Sequence, residues 1–289
     1  MQVFNSSIFI SIILPVFNAQ PHLRFAIDSI LFQTFDNFEL IVLEDGSTDD
    51  SLQYLISLQD PRVRLLHDGL NRGLSYRLNQ GVIESKGKYI CRMDADDIAL
   101  PDRLKLQIDF LETHPEIDLV GGRAVVFSRS MGILGYLPFA QTHEKLCSHP
   151  WNRIPLPHPT WMGRREWFLS HPYSAPEVIR AEDQDLLLKA YPVSRYHCID
   201  DVVLAYRLGN YNLKSSLAAR YYLFKAQALT FFQRQQYGFL SMSALIFFAK
   251  SFMDFARSFS LIDRYVSKYK TTPMASELRE SIEVLIGIT

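Results

Sequence analysis

Cysteine is scarce in this sequence, and the few cysteines form no recognisable site. Cys91, Cys147 and Cys198 are widely spaced, and no Cys-x-x-Cys pair occurs. A zinc site or a redox dithiol built on such a pair is therefore excluded. An odd number of unpaired cysteines is typical of a reducing compartment, so we expect a cytoplasmic protein.

Long apolar runs are also missing. Residues 1–7 are polar, and the apolar run 8–16 is short and interrupted by Pro15, unlike the apolar part of a secretory signal. Near the C-terminus only 15 uncharged residues separate Arg234 from Lys250, fewer than the ~20 apolar residues that a spanning helix needs. We therefore expect neither a signal peptide nor a transmembrane helix.

Two glycine-rich nucleotide motifs are absent. No Gly-x-Gly-x-x-Gly follows the first apolar run, and no Gly-x-x-x-x-Gly-Lys-Ser/Thr occurs. These absences argue against a nicotinamide-dependent oxidoreductase and a P-loop nucleotide triphosphatase. Residues 1–210 carry 20 Lys+Arg against 26 Asp+Glu, and an acidic surface disfavours nucleic acid as the partner.

The first 122 residues have the pattern of an α/β protein. Short β-branched runs alternate with segments of helical period, which predicts a mostly parallel sheet flanked by helices. The expected strands are 8–14, 38–43, 63–66 and 89–92, and the expected helices are 21–33, 49–58, 75–84 and a fourth that opens at Pro101 and ends before Pro115.

The rest of the chain divides by its proline content. Residues 123–180 contain seven prolines, so this stretch cannot be mostly helical, and we expect it to build a cleft wall. From residue 211 onward prolines almost vanish, which predicts two or three helices. We therefore divide the chain into a domain of residues 1–210, with halves 1–122 and 123–210, and a helical region of residues 211–289.

The strongest chemical signal is an acidic cluster directly after the fourth predicted strand. Asp94, Asp96 and Asp97 lie within four positions, and their like charges need a compensating cation. Mg²⁺ or Mn²⁺ uses one or two carboxylates together with substrate phosphates, so the cluster fits a metal-bridged diphosphate. The alternative is a solvated turn whose acids cap a helix, and Asp97 in particular suits that description.

A second polar loop, Glu44 to Asp50, follows the second predicted strand. Gly46 permits a tight turn, and Ser47, Thr48 or Asp49 can cap the next helix, so the loop alone is an ordinary strand-to-helix connection. However, an ionised Asp45 could accept the imide N–H of a pyrimidine base.

Taken together, these motifs resemble those of the family 2 inverting glycosyltransferases, which have the fold called GT-A. The family's order and spacing are matched by SIILPVFN (11–18), SILFQTF (29–35), FELIV (38–42), EDGSTD (44–49), NRG (71–73), GKYI (87–90), DADD (94–97) and PDRL (101–104). Further likeness, through HPTWMGRRE (158–166) and EDQDL (182–186), extends to about residue 207.

The resemblance implies a donor site in residues 1–122. Pro15 and Asn18 would lie at the mouth of the nucleotide site, and Asp45 would meet the base, usually uracil. Asp94 and Asp96 would hold Mn²⁺ or Mg²⁺ on the donor diphosphate, with Asp96 as the direct ligand and Asp94 as its support.

The resemblance also implies an acceptor site in residues 123–210, with Asp183 as general base. Its alternative is an acid that merely stabilises the first turn of a helix. Arg72 either approaches the donor phosphates or caps a helix. His158 either touches the diphosphate or the acceptor, or is a hydrogen-bonded structural group. After Arg207, Gly209 and Asn210 stand where the family often has a histidine.

The helical tail has a basic, aromatic character. Residues 211–270 carry 9 Lys+Arg against 2 acids. Aromatic side chains facing outward would favour peripheral contact with an anionic membrane, whereas aromatic side chains packed inward would indicate a helical lid or a homodimer contact.

These observations favour a metal-dependent inverting glycosyltransferase. Its donor would be a nucleotide diphosphate sugar, usually a UDP-sugar, and its acceptor a carbohydrate or glycolipid hydroxyl. By family analogy the product is a bacterial surface polysaccharide or glycolipid, made at the cytoplasmic face of the inner membrane. The alternative is a catalytically silent nucleotide-sugar-binding module that recruits partners through its helical tail.

Overall fold

The fold is an α/β sheet protein with C-terminal helices. The computed structural model describes residues 9–128, 130, 132–176, 178, 180–209, 212–258, 274 and 276–286. The strands are β1 (Ile10–Val16), β2 (Phe38–Glu44), β3 (Val63–Leu66), β4 (Tyr89–Arg92), β5 (Ile98–Ala99), β6 (Leu119–Ser128), β7 (Gly132–Tyr136), β8 (Met162–Arg164) and β9 (Tyr196–Arg207). The helices are α1 (Leu23–Leu31), α2 (Ser51–Ser57), α3 (Leu74–Glu84), α4 (Arg103–Thr113), α5 (His143–Leu146), α6 (Arg165–Ser170), α7 (Glu182–Ala190), α8 (Leu213–Gln233), α9 (Tyr237–Ser258) and α10 (Ser276–Ile286).

The strands form one mixed sheet. Their order is β3-β2-β1-β4-β8-β6-β9-β5, with β7 beside β6. Strands β3, β2, β1 and β4 are parallel, β8 joins antiparallel, and β6 is parallel to β9. Most paired residues therefore lie in parallel ladders, and the predicted α/β class is confirmed.

The four strands expected from the sequence are present. Strand β1 continues through Pro15 to Val16, so the proline interrupts the apolar run without ending the strand. Pro15 lies opposite Leu43, and a backbone hydrogen bond from Asp45 to Val16 follows it. Residue 8 and the polar residues before it lie outside the described residues.

Alternating side chains of β1 divide the core into two layers. Ile10, Ile12 and Leu14 pack on one face of the sheet with α1 and α4, while Ile13 packs on the other face with α3. Helix α1 presents Ile27 and Ile30 to the first layer. Burial of each such side chain is worth ~1.5–3 kcal/mol, which fixes the helices against the sheet.

The proline-rich segment is less irregular than the sequence predicted. It begins inside strand β6, includes strand β7, and later supplies strand β8 to the middle of the sheet. Between β7 and β8 the chain runs as short turns and loops, and Pro138, Pro155 and Pro157 line a cleft as expected.

Helices α8 and α9 pack against each other beside the sheet domain. Phe231 of α8 is fully buried and contacts Phe239 of α9, which in turn lies against Trp151. Helix α10 places Ile282 in a small apolar cluster with Ile98 and Val125. The predicted helical tail is thus present, although the predicted boundary between residues 210 and 211 lies outside the described residues.

Helix α9 is longer than the uncharged run counted from the sequence. The uncharged run ends at Lys250, but the helix continues to Ser258, and Tyr237–Ala256 has the length and mean hydropathy (1.4) of a membrane-crossing helix. Only 11% of its most apolar window is buried. By length and composition, the tail therefore contains a helix long enough to cross a membrane, which the count of uncharged residues did not predict.

Candidate active site

The strand order places a binding crevice at the carboxyl ends of β1 and β4. The chain runs from β1 outward to β2 and β3, then returns to place β4 on the other side of β1. Ligands of open α/β sheets bind at this kind of reversal in strand order. Because Ile13 is in register with Arg92, the residues after β1 lie beside the acidic cluster after β4.

Asn18 joins the loop after β1 to the loop after β2. Its backbone is left-handed (φ 50°), and its side-chain oxygen accepts hydrogen bonds from the backbone N–H of Thr48 (2.7 Å) and Asp49 (3.3 Å). Its own N–H donates to the Ser47 hydroxyl at 3.0 Å. Asn18 is exposed, so the two loops form a fixed and open edge of the crevice.

Asp45 is a buried carboxylate that organises the Asn-Arg-Gly turn. Its Oδ1 accepts from the Arg72 N–H (2.7 Å) and from Nε of the buried Arg77 (2.8 Å). Its Oδ2 accepts from the Gly73 N–H at 3.0 Å. A carboxylate has about four acceptor positions, so one remains on Oδ2.

Gly46 is required where these two loops touch. Its φ is +73°, and a Cβ at this position would come within 2.9 Å of the Asn71 backbone nitrogen. A side chain would therefore be strained and would also push the turn away. Next to it, Glu44 is fully buried, and its Oε2 has no hydrogen-bond partner among the described residues.

The Arg72 side chain faces another acid. Its Nε donates to Asp68 at 2.6 Å, and its guanidinium lies 4.9 Å from the centre of the Tyr76 ring. Hydrogen bonds from Arg77 and Arg72 hold the pKa of Asp68 well below its usual range. Arg72 therefore caps no helix with its side chain, and it contributes to the turn through its backbone N–H.

Asp94 is paired with a buried arginine. Both terminal nitrogens of Arg92 donate to the two oxygens of Asp94, one at 2.9 Å, in the two-bond geometry that gives strong ion pairs. Arg92 is 2% exposed, and its Nε has no partner among the described residues. Part of the cluster's charge is thus balanced by the chain itself.

Asp96 has no such partner for its carboxylate among the described residues. Displacement of water by the surrounding protein, together with the negative charge of Asp94, raises its pKa to about 6. The Asp96 side chain is nevertheless open at the surface of the crevice. An accessible carboxylate that lacks a cation is a suitable metal ligand.

Asp97 does not cap a helix. Strand β5 follows it directly, and α4 begins only at Arg103. Its Oδ1 instead accepts from the Arg207 backbone N–H at 2.8 Å, which ties the cluster to β9. Burial, with repulsion from Asp94 and Asp96, raises its pKa well above the usual range, and its buried Oδ2 is unpartnered in the described structure.

The end of β9 also contacts the acidic cluster through a side chain. Nε of Arg207 donates to the Asp96 carbonyl at 2.8 Å, and its guanidinium lies 4.5 Å from the centre of the Phe127 ring. Asn210, one of the two residues at the family's histidine position, lies outside the described residues.

His158 is a buried, neutral group in the cleft wall. Its Nε2 is 2.8 Å from the Tyr173 hydroxyl, and its Nδ1 is 3.5 Å from Glu182. Burial and the nearby positive charge of Arg92 lower its pKa to about 3. The hydrogen-bonded position supports a structural contribution, and the ring also lines the cleft.

Asp183 lies in the first turn of α7 and is only partly buried. Ala181, in a left-handed conformation, precedes this helix, and Glu182 and Asp185 are its buried acids. Asp185 accepts from Ser174 and Lys189, while burial raises the pKa of Glu182. In contrast, Asp183 accepts from Gln184 at 3.1 Å and faces the cleft.

One cavity of about 420 Å³ brings several candidates together. Asp94, His158 and Asp183 line it, along with Arg92 and Glu182. The remaining candidates, Pro15, Asn18, Asp45, Arg72 and Asp96, are not among its lining residues. The candidates thus form two groups, one at the ends of β1 and β2 and one around this cavity, with the acidic cluster between them.

The donor set suits a metal that is completed by substrate. Among the described residues, no three His, Cys, Asp or Glu side chains are grouped to hold a metal ion by themselves. Asp96 could supply one oxygen to a metal ion. Asp94 could supply a second oxygen if it gave up part of its pairing with Arg92. Magnesium-type sites often consist of that number of carboxylates plus phosphate oxygens.

Sequence reasoning missed the two arginines of this cavity. Arg92 was passed over as part of a strand, although a charge at the end of an apolar strand and next to three acids was a usable signal. Arg153 lines the cavity from a loop between prolines. No local pattern marks it, because its position depends on how the loop folds back over the sheet.

Comparison with known proteins gives a consistent assignment of family and fold. The family model described as Glycosyl transferase family 2 matches residues 11–170. The putative glycosyltransferase EpsE of Bacillus subtilis is 37% identical over 135 residues, which is 45% of this chain and 48% of that protein. The chain spans less than half the length of the first curated relatives that it matches.

Solved structures share the fold at low sequence identity. TarS 1-349 of S. aureus in complex with UDP-GlcNAc has a TM-score of 0.59 and 17% identity, covering 96% of this chain and 80% of that one. Glucosyl-3-phosphoglycerate synthase of Mycobacterium tuberculosis, in complex with Mn²⁺, UDP and phosphoglyceric acid, has a TM-score of 0.57 and 20% identity, covering 77% and 78%. The predicted GT-A fold is confirmed.

Proposed function

The chain belongs to glycosyl transferase family 2, and on this basis we propose that it transfers a sugar from a nucleotide diphosphate to an acceptor hydroxyl with inversion. The observation that carries this proposal is the cavity that Asp94 and Asp183 line together. A single displacement needs a base near the attacking hydroxyl and, near the leaving diphosphate, a carboxylate that can hold a metal ion.

Asp183 is the general base of the proposal. It is partly exposed to the cavity, whereas Glu182 beside it is buried with a raised pKa. His158 is neutral at physiological pH because its pKa is about 3. A neutral imidazole that contacts Tyr173 and Glu182 can position the helix that carries Asp183, while Asp183 itself takes the acceptor proton.

Asp96 and Asp94 are the proposed carboxylates for Mn²⁺ or Mg²⁺. Such an ion would act as a Lewis acid on the departing diphosphate. The raised pKa of Asp96 supports this assignment, since its carboxylate lacks a balancing cation in the described chain. Arg92 holds Asp94 in place and brings a further positive charge to the cavity.

The donor is proposed to be a UDP-sugar. Asp45 keeps one acceptor position on Oδ2, which suits the imide N–H of uracil, and Asn18 and Pro15 form the adjacent edge. The two similar structures named above contain UDP-GlcNAc or UDP, which supports this choice. Arg72 is proposed to exchange Asp68 for a donor phosphate, because the pair is exposed.

The acceptor is proposed to be a carbohydrate or glycolipid in the synthesis of a bacterial surface polymer, made at the cytoplasmic face of the inner membrane. Bacterial glycosyltransferases among the relatives, such as the putative glycosyltransferase EpsE, support a bacterial acceptor. The outward face of α9 supports the membrane contact. It is defined by Met242, Leu245, Phe248, Phe252 and Phe255, which are all exposed.

Lys250 and Asp254 of α9 point away from that outward face. Lys250 hydrogen-bonds to Asn152 of the sheet domain, and buried Asp254 pairs with Arg220 of α8. A helix with polar groups inside and apolar groups outside suits an apolar surrounding. Residues 213–258 carry six Lys+Arg against one acid, so an anionic lipid surface is the proposed partner, and a homodimer through the same face is its alternative.

Donor hydrolysis in the presence of Mn²⁺ tests the proposed reaction. Wild-type protein should release UDP slowly from a UDP-sugar, because water can replace the acceptor. Asp96→Ala should abolish this release through loss of the metal, and Asp183→Asn should lower it at least ~100-fold through loss of the base. Lys225→Gln, at an exposed site on α8, is the control that should keep full activity.

The alternative of a silent sugar-nucleotide-binding module makes the opposite prediction. A wild-type protein that binds UDP-sugars in calorimetry but releases no UDP with any of them would contradict the enzyme proposal. The screen should include several UDP-sugars and both Mn²⁺ and Mg²⁺, because the described contacts do not select a particular sugar.

A further inference from the structure

A second cavity, of about 740 Å³, lies between the sheet domain and the C-terminal helices. One wall is formed by α5 and the loop that follows it, another by the start of α7, and a third by α8 and α9. The helical tail therefore lines a cavity, in addition to packing against the sheet domain.

The lining of this second cavity is strongly basic. Lys145, His149, Arg153, Arg220 and Lys250 line it, and Asp183 is its only acidic lining residue among those described. Lys145, His149 and Arg153 belong to residues 1–210, which have more acids than bases, while Arg220 and Lys250 belong to the helical tail. A cavity lined by one sign of charge concentrates ligands of the opposite sign.

Two of these basic groups are already engaged in holding the helices. Arg220 pairs with the buried Asp254 of α9, and Lys250 contacts Asn152. Lys145 and Arg153 are exposed, and neither side chain forms an ion pair with any described residue. Lys145 and Arg153 are thus the charges that the cavity offers to a ligand.

The second cavity opens onto the first. Pro138, Arg153, Pro155 and Asp183 line both cavities. A ligand with an anionic group at Arg153 and Lys145 would therefore place its neighbouring atoms beside Asp183. In the proposed reaction, Asp183 takes the proton of the acceptor hydroxyl.

We infer that this cavity binds the acceptor and that the acceptor carries a phosphate group, which Arg153 and Lys145 hold while its hydroxyl meets Asp183. The inference rests on the proposed function for the position of the hydroxyl. A guanidinium matches phosphate oxygens through two parallel hydrogen bonds, and a lysine adds a mobile point charge. The phosphate is a monoester or a diester, and both forms have at least two non-bridging oxygens that can accept hydrogen bonds from Arg153 and Lys145.

The direct test is calorimetric titration of glycerol 3-phosphate into the full chain saturated with UDP and Mn²⁺. Glycerol and glycerate are the uncharged and carboxylate probes of similar size. We expect glycerol 3-phosphate to bind at least tenfold more tightly than either probe. Equal binding of glycerate, or no binding of glycerol 3-phosphate, would overturn the assignment to phosphate.

Variants locate the phosphate within the chain. Lys145→Gln and Arg153→Gln should each weaken glycerol 3-phosphate binding about tenfold, while Lys145→Arg should restore most of it. Lys225→Gln, on the exposed side of α8 and outside both cavities, should bind like wild type. Unchanged binding by Lys145→Gln and Arg153→Gln would contradict the site.

A diester probe and a titration without UDP complete the design. Glycerophosphocholine, a phosphodiester, separates the two phosphate forms, and tighter binding of either form supports the site. Without UDP, the Lys145→Gln effect should persist, so failure of the proposed donor site would not hide the phosphate site. If UDP instead abolishes binding of glycerol 3-phosphate, the probe occupies the donor site and the inference is wrong.

Discussion

The proposed donor side and the proposed acceptor side of the crevice differ in how their charges are satisfied. At the ends of β1, β2 and β4, Asp45 and Asp94 already hold arginines or backbone N–H groups of the same chain. On the acceptor side, Asp183, Lys145 and Arg153 face cavities with few protein partners. Asp45 and Asp94 are thus held in place before any ligand binds, and Asp96 alone of the proposed donor-side carboxylates lacks a cation among the described residues, whereas the proposed acceptor side keeps both an acid and two bases available for a ligand.

The largest expected effect is on stability, and it follows from removing an ion pair at Asp45. Asp45→Asn removes the negative charge beside Arg77, which is fully buried, and we expect a loss of about 3 kcal/mol in the free energy of unfolding. Chemical denaturation of both proteins measures this loss. Asp68→Asn removes the other, more exposed partner of Arg77 and should cost less, and equal losses would contradict the importance of burial.

An intermediate effect is expected at the outward face of α9. Phe252 is 72% exposed, and Phe252→Glu should weaken binding to vesicles with anionic lipids at least tenfold, because insertion of a phenyl ring is worth ~1.5–3 kcal/mol. Co-sedimentation with the vesicles measures the loss.

A matched variant separates this face from general surface charge. Val193→Glu, at a residue of the sheet domain that is 79% exposed, should bind vesicles like wild type. If the wild-type protein did not bind vesicles but formed a dimer, and Phe252→Glu dissociated that dimer, the membrane proposal would be wrong. The partner of the outward face would then be a second copy of the chain.

The smallest expected effect concerns the pH dependence of the metal-free protein. The pKa of Asp96 is about 6 in the folded chain and near 3.8 in a model peptide, so the folded state binds more protons between pH 4 and 6. Ionisation of Asp96 therefore lowers stability as the pH rises through this window. Asp96→Asn removes the effect, and the variant should gain stability relative to wild type above pH 6.

Urea denaturation in EDTA at pH 4.5, 6 and 7.5 checks this sign. The stability difference between Asp96→Asn and wild type should grow with pH, and saturating Mn²⁺ with UDP should reverse it at pH 7.5. If the variant were instead less stable at pH 7.5 without metal, Asp96 would be engaged by a group other than a metal, and its assignment as ligand would fail.

Local sequence predicted the parallel half of the fold well. Strands β2, β3 and β4 begin where the β-branched runs begin. Strands β2 and β4 lie inside the sheet and are buried, which favours apolar residues, whereas β3 at the edge is only half-buried. The alternation of apolar and helical segments did not predict the strands beyond residue 119. Strands β6 and β9 were not recognised, since Gly121 and Gly122 and a mixture of polar residues interrupt their apolar character.

The candidate site shows the same division between local and long-range information. Asp45, Asp94, Asp96 and Asp183 could be named from the sequence, because each lies in a motif or directly after a strand. Their surroundings could not be. Arg77 reaches Asp45 from 32 residues away, and Arg207 meets Asp97 from 110 residues away, so these contacts exist only in the folded chain.

The sequence by itself determined the alternation of strands and helices and the positions of the acids, since burial period and turn chemistry act between near neighbours. Only the tertiary structure decided that Asp97 ties β9 in place of capping a helix, and that Lys250 and Asp254 of α9 meet Asn152 and Arg220. It also decided that a basic cavity adjoins Asp183. The physical reason is that charge, burial and available hydrogen-bond partners at each of these positions are set by residues far away along the chain.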